Sequence, residues 1–162
     1  MADKVAQQKL IEKVQANLGD KVSGVDLDVM DPFIRVEAKD WPEVALFLRD
    51  ACGLDYLACL TSIDRGEDGL EAVYGVERMD AERLQITVKI LVSKDEPNIP
   101  SVESLWRTAD WHEREAWDLM GIVFTGHPNL VRILCAEDWE GHPLRKDYKS
   151  PDYYHGIRNN VV

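Results

Sequence analysis

Apolar side chains recur at helical spacing in two segments of the first half of the chain. In residues 4–18 they recur every three or four positions, which predicts an amphipathic helix that ends near Gly19. A second helix is predicted to begin at Asp40, because Asp40 and Glu43 stand at the spacing of a capping box. Gly53 is expected to end this helix, since glycine is common just beyond a helix C-terminus.

Five segments have the pattern of β-strands, namely residues 25–29, 34–38, 56–63, 70–79 and 83–92. The first two flank Asp31-Pro32 and are expected to form a hairpin. Residues 56–63 are almost entirely apolar, which predicts a central strand covered on both faces. The order of helices and strands predicts an α+β fold, with a mixed, largely antiparallel sheet and helices on one face.

After residue 100 the pattern becomes irregular. Ser101 is expected to cap a short helix that runs to Trp106. A longer helix is predicted from Asp110 to Gly121, because Asp110 and Glu113 again have the spacing of a capping box. This helix is the last segment with clear periodicity.

Beyond the last helix the sequence indicates loops, a short extended piece at residues 130–134 and an aperiodic tail rich in Tyr, Pro, Gly and Asn. Such a tail does not fold alone, so it is either disordered or ordered by docking on a partner. Tyrosine is favoured in interfaces. We therefore assign residues 1–148 to a single α+β domain that closes with an irregular C-terminal module, residues 111–148. Residues 149–162 are assigned to an extended tail that docks on partners.

The composition is that of a soluble globular protein, with 45% hydrophobic and 30% charged residues. The net charge of −11 argues against nucleic acid as a partner, because no basic stripe is present to neutralise phosphates. Neither a secretion signal nor an apolar run of about 18 residues is found, so membrane association is expected only through a partner protein. Three cysteines without a CxxC pair predict reduced thiols and argue against an iron–sulfur cluster held by this chain alone.

Residues 111–148 concentrate tryptophan, histidine, arginine and carboxylate side chains, with two Gly-His-Pro triplets centred on His127 and His142. A zinc helix is not indicated, because Ala116 stands four residues after His112, where a second histidine would be needed. The two triplets have no third ligand at convincing spacing. Each triplet instead has the composition of a rigid turn.

Paired carboxylates in this stretch could supply a general acid and a general base, and the candidates are Glu113, Glu115, Asp118, Glu137 and Asp138. Neither a GxSxG motif nor a phosphate-binding glycine loop is present, and the cysteines stand in apolar contexts that favour inert buried thiols. We therefore assign no catalytic, cofactor-binding or metal-binding residue to the chain.

The last predicted helix has polar and aromatic residues on unexpected sides. Glu113 falls within its apolar arc, whereas Trp111 falls on the polar side with Asp118. A buried Glu113 needs a partner, and Arg132 and Arg145 are the predicted cationic donors. This arrangement indicates an internal ion-pair network, a direct contact with another subunit, or both.

The residues of this stretch form a specific pattern: Glu113-Arg114-Glu115, Asp118-Leu119, Gly121-Ile122, Phe124, Gly126-His127-Pro128, Leu130, Arg132-Ile133-Leu134, Asp138-Trp139 and Gly141 to Tyr148. The pattern closely resembles the C-subunit family of respiratory complex I, the proton-pumping NADH:quinone oxidoreductase. Members of that family are subunits of the peripheral arm. The match is contiguous and covers the C-terminal module. The α+β pattern of residues 1–100 agrees with the fold of that family.

The resemblance implies a non-catalytic structural subunit, with no cofactor in this chain. In that family FMN, iron–sulfur clusters and quinone are expected in other subunits of the complex. The implied partners are the D-type quinone-site subunit, against which the chain would pack, and neighbouring iron–sulfur subunits of the peripheral arm. The implied location is the cytoplasmic side of the inner (plasma) membrane, where partners hold the complex.

Roles are expected for the residues of the motif. Glu113, Arg132 and Arg145 are expected to form an internal ionic network. Trp111, Trp139 and Tyr148 are expected to anchor an interface. The residues expected to act in structure or at interfaces are Trp111, Glu113, Arg114, Glu115, Asp118, His127, Arg132, Trp139, His142, Arg145, Lys146, Asp147 and Tyr148.

Two alternatives remain open from the sequence. One is the equivalent subunit of a related membrane-bound hydrogenase, or of a dehydrogenase linked to cofactor F420 or ferredoxin. The other is a free-standing enzyme that uses His112, Glu115 and His127 as acid–base residues.

Overall fold

The computed structural model describes residues 4–27, 29, 31–80 and 84–159. Its main sheet has five strands in the spatial order β1-β2-β5-β4-β3. The strands are β1 (Val22–Asp26), β2 (Phe33–Val36), β3 (Tyr56–Asp64), β4 (Leu70–Glu77) and β5 (Gln85–Val92). Only the β2–β5 pair is parallel, so the sheet is mixed and mostly antiparallel, as the sequence predicted.

Three α-helices cover one face of this sheet: α1 (Lys4–Leu18), α2 (Trp41–Asp50) and α3 (Ala109–Met120). The packing centres on Trp41 of α2, whose ring lies 4.5 Å from the Tyr74 ring of β4 and 6.2 Å from the Trp106 ring. The opposite face is open, and Ile63 and Leu91 are exposed there. The prediction of an α+β fold with helices on one face is confirmed.

Shorter elements join these layers. Single 3₁₀ turns lie at Gly19–Lys21, Ala38–Asp40 and Gly66–Asp68. A parallel pair outside the main sheet joins β6 (Asn98–Pro100) to β7 (Val123–Thr125). None of the helices in the described ranges combines the length and apolar character needed to cross a bilayer.

The strand that the sequence predicted to be central, residues 56–63, lies at an edge of the sheet. Its neighbour on one side is β4. Leu57 and Leu60 both face the core, because the register shifts between Leu57 and Cys59. The other face exposes Tyr56 and Ile63. The prediction was wrong because an apolar run also suits an edge strand whose outer face is left uncovered.

The predicted hairpin of β1 and β2 is confirmed, but β1 begins at Val22 and ends at Asp26, earlier than residues 25–29. Residues 28 and 83 of the predicted strands lie outside the described residues. Residues 130–134 form no strand. The described part of the tail is not simply extended, because β8 (Tyr153–Tyr154) and β9 (Ile157–Arg158) form a small hairpin.

Neither of the two predicted capping boxes forms, whereas the glycines predicted at the helix C-termini largely lie where the helices end. Asp40 precedes α2 without a side-chain cap, because it already belongs to a 3₁₀ turn. Glu43 pairs with Lys21 instead. Gly53 ends α2 with a φ of +71°, as predicted.

The chain before α3 also differs from the prediction. Residues 101–106 form hydrogen-bonded turns and not a helix, and α3 begins at Ala109, before Asp110. Thr108 precedes α3, and its hydroxyl donates to the Leu57 carbonyl at 3.1 Å. Tertiary contacts with β3 therefore fix the start of α3.

Candidate functional site

The two Gly-His-Pro triplets attach the loops that follow α3 to the two ends of that helix. At the first turn, Nε2 of the fully buried His127 side chain lies 3.3 Å from Oδ1 of Asp110, and Nδ1 accepts the Asn129 N–H at 3.0 Å. Because Nδ1 accepts, the proton of the neutral ring lies on Nε2 and is directed at Asp110. At the last turn, His142 Nδ1 lies 3.0 Å from the Asp118 carbonyl oxygen.

The segment after the second triplet caps the C-terminus of α3. The Leu144 N–H donates to the Leu119 carbonyl at 3.0 Å, and Arg145 Nε donates to the Met120 carbonyl at 2.7 Å. The last carbonyls of a helix have no partner within the helix and carry partial negative charge. A guanidinium at this position therefore supplies both hydrogen bonds and a favourable charge.

Gly121 makes this cap possible. It ends α3 in the left-handed region with a φ of +75°. A Cβ at this position would lie 2.5 Å from the His142 ring and 2.6 Å from the Arg145 guanidinium. Only glycine satisfies the backbone conformation and the close approach of both side chains.

Asp118 holds the loop that follows the first triplet. Its carboxylate is fully buried, and Oδ2 accepts the N–H groups of Ile133, Leu134 and Cys135 at 3.0, 2.8 and 2.9 Å. Oδ1 accepts Arg132 Nη1 at 2.6 Å. Burial alone raises the pKa of Asp118, but these N–H groups and the guanidinium together hold that pKa well below its usual range.

The guanidinium of Arg132 connects this carboxylate to the second triplet. Its Nη2 donates to the carbonyl groups of Trp139 at 2.8 Å and Gly141 at 3.0 Å. The sequence predicted Asp118 on the solvent-facing side of the helix, and the expected exposure is wrong. The helical projection does not show that residues 131–141 fold back over that side and enclose it.

A second carboxylate, Asp64 at the end of β3, anchors the far end of the module. It accepts the Lys146 N–H at 2.8 Å, the Gly66 N–H at 2.7 Å and Lys94 Nζ at 2.9 Å. Burial alone raises its pKa, but these donors together lower it to about 2. Lys94 also lies 3.5 Å from Asp147.

The sequence reasoning missed Asp64. Its only signal is a carboxylate that directly follows an apolar strand and precedes a tight polar loop. Its partner Lys146 stands 82 residues later, where no local pattern can reveal it.

Glu113 is buried as predicted, but its partners are different. Its carboxylate is fully buried, accepts the Ser101 hydroxyl at 2.6 Å and accepts the Val102 N–H at 2.8 Å. Burial raises its pKa to about 7 despite these two hydrogen bonds, and the charges of Glu103 and Asp110 raise it further.

The predicted ionic network of Glu113 with Arg132 and Arg145 is therefore wrong. Arg132 pairs with Asp118, and Arg145 caps the helix. The three side chains lie at different heights along the helix axis. Glu113 is in the first half of α3, whereas both arginines contact its C-terminal end.

Trp111 is exposed, as the sequence predicted, with 62% of its surface accessible. The Arg114 guanidinium lies over its ring at 5.0 Å from the centroid, and Arg114 Nε donates to the Val131 carbonyl at 3.2 Å. We call Trp111, Arg114 and the exposed Val131 the Trp111 surface. Its aromatic ring is held in place by its neighbours but is not covered by them.

The remaining residues that the sequence assigned to structure or interfaces differ in their exposure to solvent. Glu115, Lys146 and Asp147 are exposed, whereas Trp139 and Tyr148 are half-buried. The Trp139 ring packs against Tyr154 of the tail, with a centroid distance of 5.2 Å.

The residues considered for a free-standing enzyme differ in exposure. The His127 side chain is fully buried, His112 is half-buried and Glu115 is exposed. Within the described ranges, no group of three or more His, Cys, Asp or Glu side chains could hold a metal ion.

The three cysteines are free thiols, but they do not share one environment. The prediction of buried thiols holds for Cys52 and is wrong for Cys59, which faces outward from the edge strand β3. Burial raises the pKa of both Cys52 and Cys135.

Two solved structures superpose on this chain over most of its length. A trypsin-resistant fragment of Nqo5 superposes with a TM-score of 0.64 and 24% identity, covering 77% of this chain and 99% of that chain. A chain of the membrane-bound sulfane sulfur reductase, an archaeal respiratory membrane complex, superposes with a TM-score of 0.70 and 20% identity, covering 88% and 85%. At these identities the likeness concerns the fold.

Sequence relatives are more similar. The C subunit of the NADH-quinone oxidoreductase of Chlorobium phaeobacteroides is 48% identical over 149 residues, which cover 90% of this chain and 90% of that protein. The protein of the same name from Chloroherpeton thalassium is 48% identical over 148 residues, 90% of this chain but only 62% of that protein. The J subunit of the chloroplastic NAD(P)H-quinone oxidoreductase of Chaetosphaeridium globosum is 39% identical over 142 residues, covering 85% and 83%.

The family described as respiratory-chain NADH dehydrogenase, 30 Kd subunit, matches residues 34–154. This range includes β3, β4, β5 and all but the first residue of β2, together with α2, α3 and the whole C-terminal module. The resemblance noted from the motif residues is thereby confirmed. The chain belongs to the family of the respiratory-chain NADH dehydrogenase 30 Kd subunit.

Proposed function

We propose that the chain is a structural subunit of a respiratory complex of the NADH-quinone oxidoreductase type and has no active site of its own. Its relatives bear the name of that oxidoreductase. The observation that carries the proposal is the Trp111 surface, where an exposed tryptophan ring lies against the Arg114 guanidinium. Tryptophan and arginine are the residues that most often dominate protein–protein interfaces.

The polar residues of the C-terminal module support the structural role. Asp118, Arg132, His142 and Arg145 direct their hydrogen bonds into the chain itself. These contacts hold the loops on α3 and thereby fix the Trp111 surface before any partner binds. A surface that is ordered in advance loses less conformational entropy on binding.

The finer proposal concerns the position in the complex. The chain packs against the D-type quinone-site subunit and neighbouring iron–sulfur subunits of the peripheral arm. It is attached to the cytoplasmic side of the membrane through these partners. FMN, iron–sulfur clusters and quinone are held by other subunits.

Purification from the native host tests the proposal. An affinity-tagged chain is recovered from membranes solubilised in mild detergent, and co-purifying subunits are identified by mass. We expect the other subunits of the oxidoreductase, together with NADH–quinone reductase activity. Recovery of the tagged chain as a free monomer, without partners, would contradict the proposal.

The Trp111→Ala variant tests the Trp111 surface within the same experiment. Loss of an interface hot spot weakens binding by about 2 kcal/mol, or roughly thirtyfold, so we expect a clear fall in the yield of co-purified partners. Leu46→Ala is the matched control, because Leu46 is also exposed but lies on α2. Equal yields for the two variants would rule out the Trp111 surface as an interface.

A further inference from the structure

Aromatic and acidic side chains line a cavity between the C-terminal module and the tail hairpin. The cavity has a volume of about 300 Å³ and is open to solvent. The lining residues that matter here are the aromatic Trp139, Tyr148, Tyr153 and Tyr154 and the acidic Asp138 and Glu140. We propose that this cavity is a recognition site for an arginine side chain of a partner subunit.

The walls of the cavity are held in place by contacts within the chain. The Trp139 and Tyr154 rings pack against each other, with centroids 5.2 Å apart at an interplanar angle of 54°, and form one aromatic side of the cavity. The Tyr154 hydroxyl donates to Asp138 Oδ1 at 2.9 Å, and His155 Nε2 lies 2.8 Å from Asp138 Oδ2. These contacts fix the hairpin on the module.

Two side chains of the cavity remain available to a ligand. Tyr153 is 63% exposed although it lies in a strand of the hairpin. Glu140 is exposed, and in the described part of the chain it takes part in no hydrogen bond or ion pair. An aromatic face and a carboxylate are therefore presented together at the mouth of the cavity.

This combination selects a cation with a flat apolar face. Aromatic rings attract cations through their quadrupole, and a carboxylate adds direct charge attraction. Arginine suits the site better than lysine, because its planar guanidinium stacks on rings and also forms forked hydrogen bonds to a carboxylate. A neutral apolar side chain would leave Glu140 without a counter-charge.

The charge of the whole chain favours a basic protein surface as the source of the arginine. A protein with a net charge of −11 associates most readily with a basic surface. The partner is therefore a protein that presents an arginine from a basic segment. This inference deepens the proposed function, because it rests on the chain being held by other subunits.

Titration of the full ¹⁵N-labelled chain with a short capped peptide, acetyl-Gly-Arg-Gly-amide, tests the site directly. We expect chemical-shift changes at the Trp139 indole and the hairpin amides, with a dissociation constant in the millimolar range for so small a ligand. Peptides with leucine or glutamine in place of arginine are expected to bind at least about tenfold more weakly. Equal shifts for all three peptides would overturn the proposal.

Matched variants of exposed residues locate the binding. Tyr153→Leu keeps an apolar side chain but removes the aromatic face, and we expect it to weaken binding of the arginine peptide about tenfold. Tyr56→Leu is the control, because Tyr56 is also an exposed tyrosine but lies on β3. Glu140→Gln is expected to weaken binding about threefold and to reduce its dependence on salt. Wild-type affinity in Tyr153→Leu would overturn the proposal.

The outcomes separate this inference from the proposed function. If the chain co-purifies with its partners but does not bind the arginine peptide, the arginine site is wrong and the structural role stands. If the peptide binds but the chain is recovered without partners, the proposed function is wrong and the site remains as a cation site.

Discussion

Two buried carboxylates of α3 have opposite pKa shifts, and the difference lies in their donors. Asp118 receives three backbone N–H groups and a guanidinium, whereas Glu113 receives one hydroxyl and one N–H. The donors outweigh burial in Asp118 and do not in Glu113. Asp118 is therefore a structural anion, whereas Glu113 can change its charge near neutral pH.

Asp118→Asn is predicted to destabilise the chain strongly. The amide replaces one acceptor oxygen by a donor group and removes the charge opposite the half-buried Arg132. We expect the free energy of unfolding to fall by about 3 kcal/mol or more, measured by urea denaturation at pH 7. Glu67→Gln, a change on an exposed loop, serves as the control and is expected to have little effect.

The same carboxylate gives a pH dependence in acid. Because the folded pKa of Asp118 lies below its unfolded value, its contribution to stability is present above about pH 4 and is lost as the pH falls further. The Asp118→Asn variant should therefore lose less stability than the wild type between about pH 4 and pH 2. Parallel losses in the two proteins would contradict this assignment.

Glu113→Gln is predicted to change the pH dependence near neutrality. With a folded pKa of about 7, the native chain keeps a proton that the unfolded chain has released above its ordinary value of 4.5. The free energy of unfolding therefore falls as the pH rises from about 4.5 to 7, and the variant lacks this fall. Urea denaturation of the wild type and the variant at pH 5, 6, 7 and 8 measures this change in the free energy of unfolding.

Glu115→Gln is the control for that experiment, because Glu115 lies on the same helix but is exposed. It should keep the slope of the wild type. His127 Nε2 lies 4.0 Å from Oε2 of Glu113. The effect assigned to Glu113 is therefore the difference in slope between the Glu113→Gln and Glu115→Gln variants. Identical slopes for wild type and Glu113→Gln would contradict the assignment.

At the residue scale, the sequence predicted which side chains are buried better than it predicted their hydrogen-bond and ion-pair partners. The helical projection placed Glu113 inside and Trp111 outside, and both positions are confirmed. It failed for Asp118, because a loop folds over that side of the helix. Periodicity reports which face of an element points to the core, but it does not report which distant segment covers the other face.

At the scale of elements, α3 depends on residues beyond its own end. The cap from His142 and Arg145 requires Gly121 in the left-handed region and without a Cβ. In most helices the cap lies within a few residues of the helix. Here the second Gly-His-Pro triplet brings the cap from about 20 residues downstream.

Gly121→Ala is predicted to loosen this cap. The positive φ alone costs about 1 kcal/mol, and displacement of His142 and Arg145 adds to that cost. We expect a loss of more than about 1 kcal/mol in the free energy of unfolding, measured in urea. Gly19→Ala is the control, because Gly19 also follows a helix but has no positive φ and open space at its Cβ position.

The pattern of elements was predictable because helices and strands have regular periods. The periodicity of apolar residues predicted α1, α2, α3 and the hairpin of β1 and β2. The edge position of β3 does not follow from this periodicity, because strand order depends on contacts between distant segments. The parallel pair of β6 and β7 was missed for a similar reason, since three residues are too few to show a period.

At the scale of the whole molecule, the tail contributes little to the fold of the domain. Its hairpin contacts the module mainly through Tyr154, which reaches Trp139 and Asp138. Deletion of residues 149–162 is therefore predicted to leave the domain folded, with a change of less than about 1 kcal/mol in the free energy of unfolding.

The same deletion is predicted to weaken association with partner subunits, because it removes Tyr153 and Tyr154. Pull-down of partners from detergent-solubilised membranes measures this effect, and the urea midpoint of the truncated chain shows whether the domain is intact. Unchanged recovery of partners with an intact domain would rule out the docking role of the tail.

The anchor at Asp64 has a consequence for the order of folding. Asp118 and the loop it holds are 14 to 17 residues apart, whereas Asp64 and Lys146 are 82 residues apart. Closing a longer loop costs more chain entropy, so contacts around Asp118 are expected to form before the Asp64 contact.

In native-state hydrogen exchange, the Lys146 amide should therefore exchange through an opening of lower free energy than the amides of residues 133–135. The C-terminal end of the module would then be the part of the domain that detaches and redocks most easily.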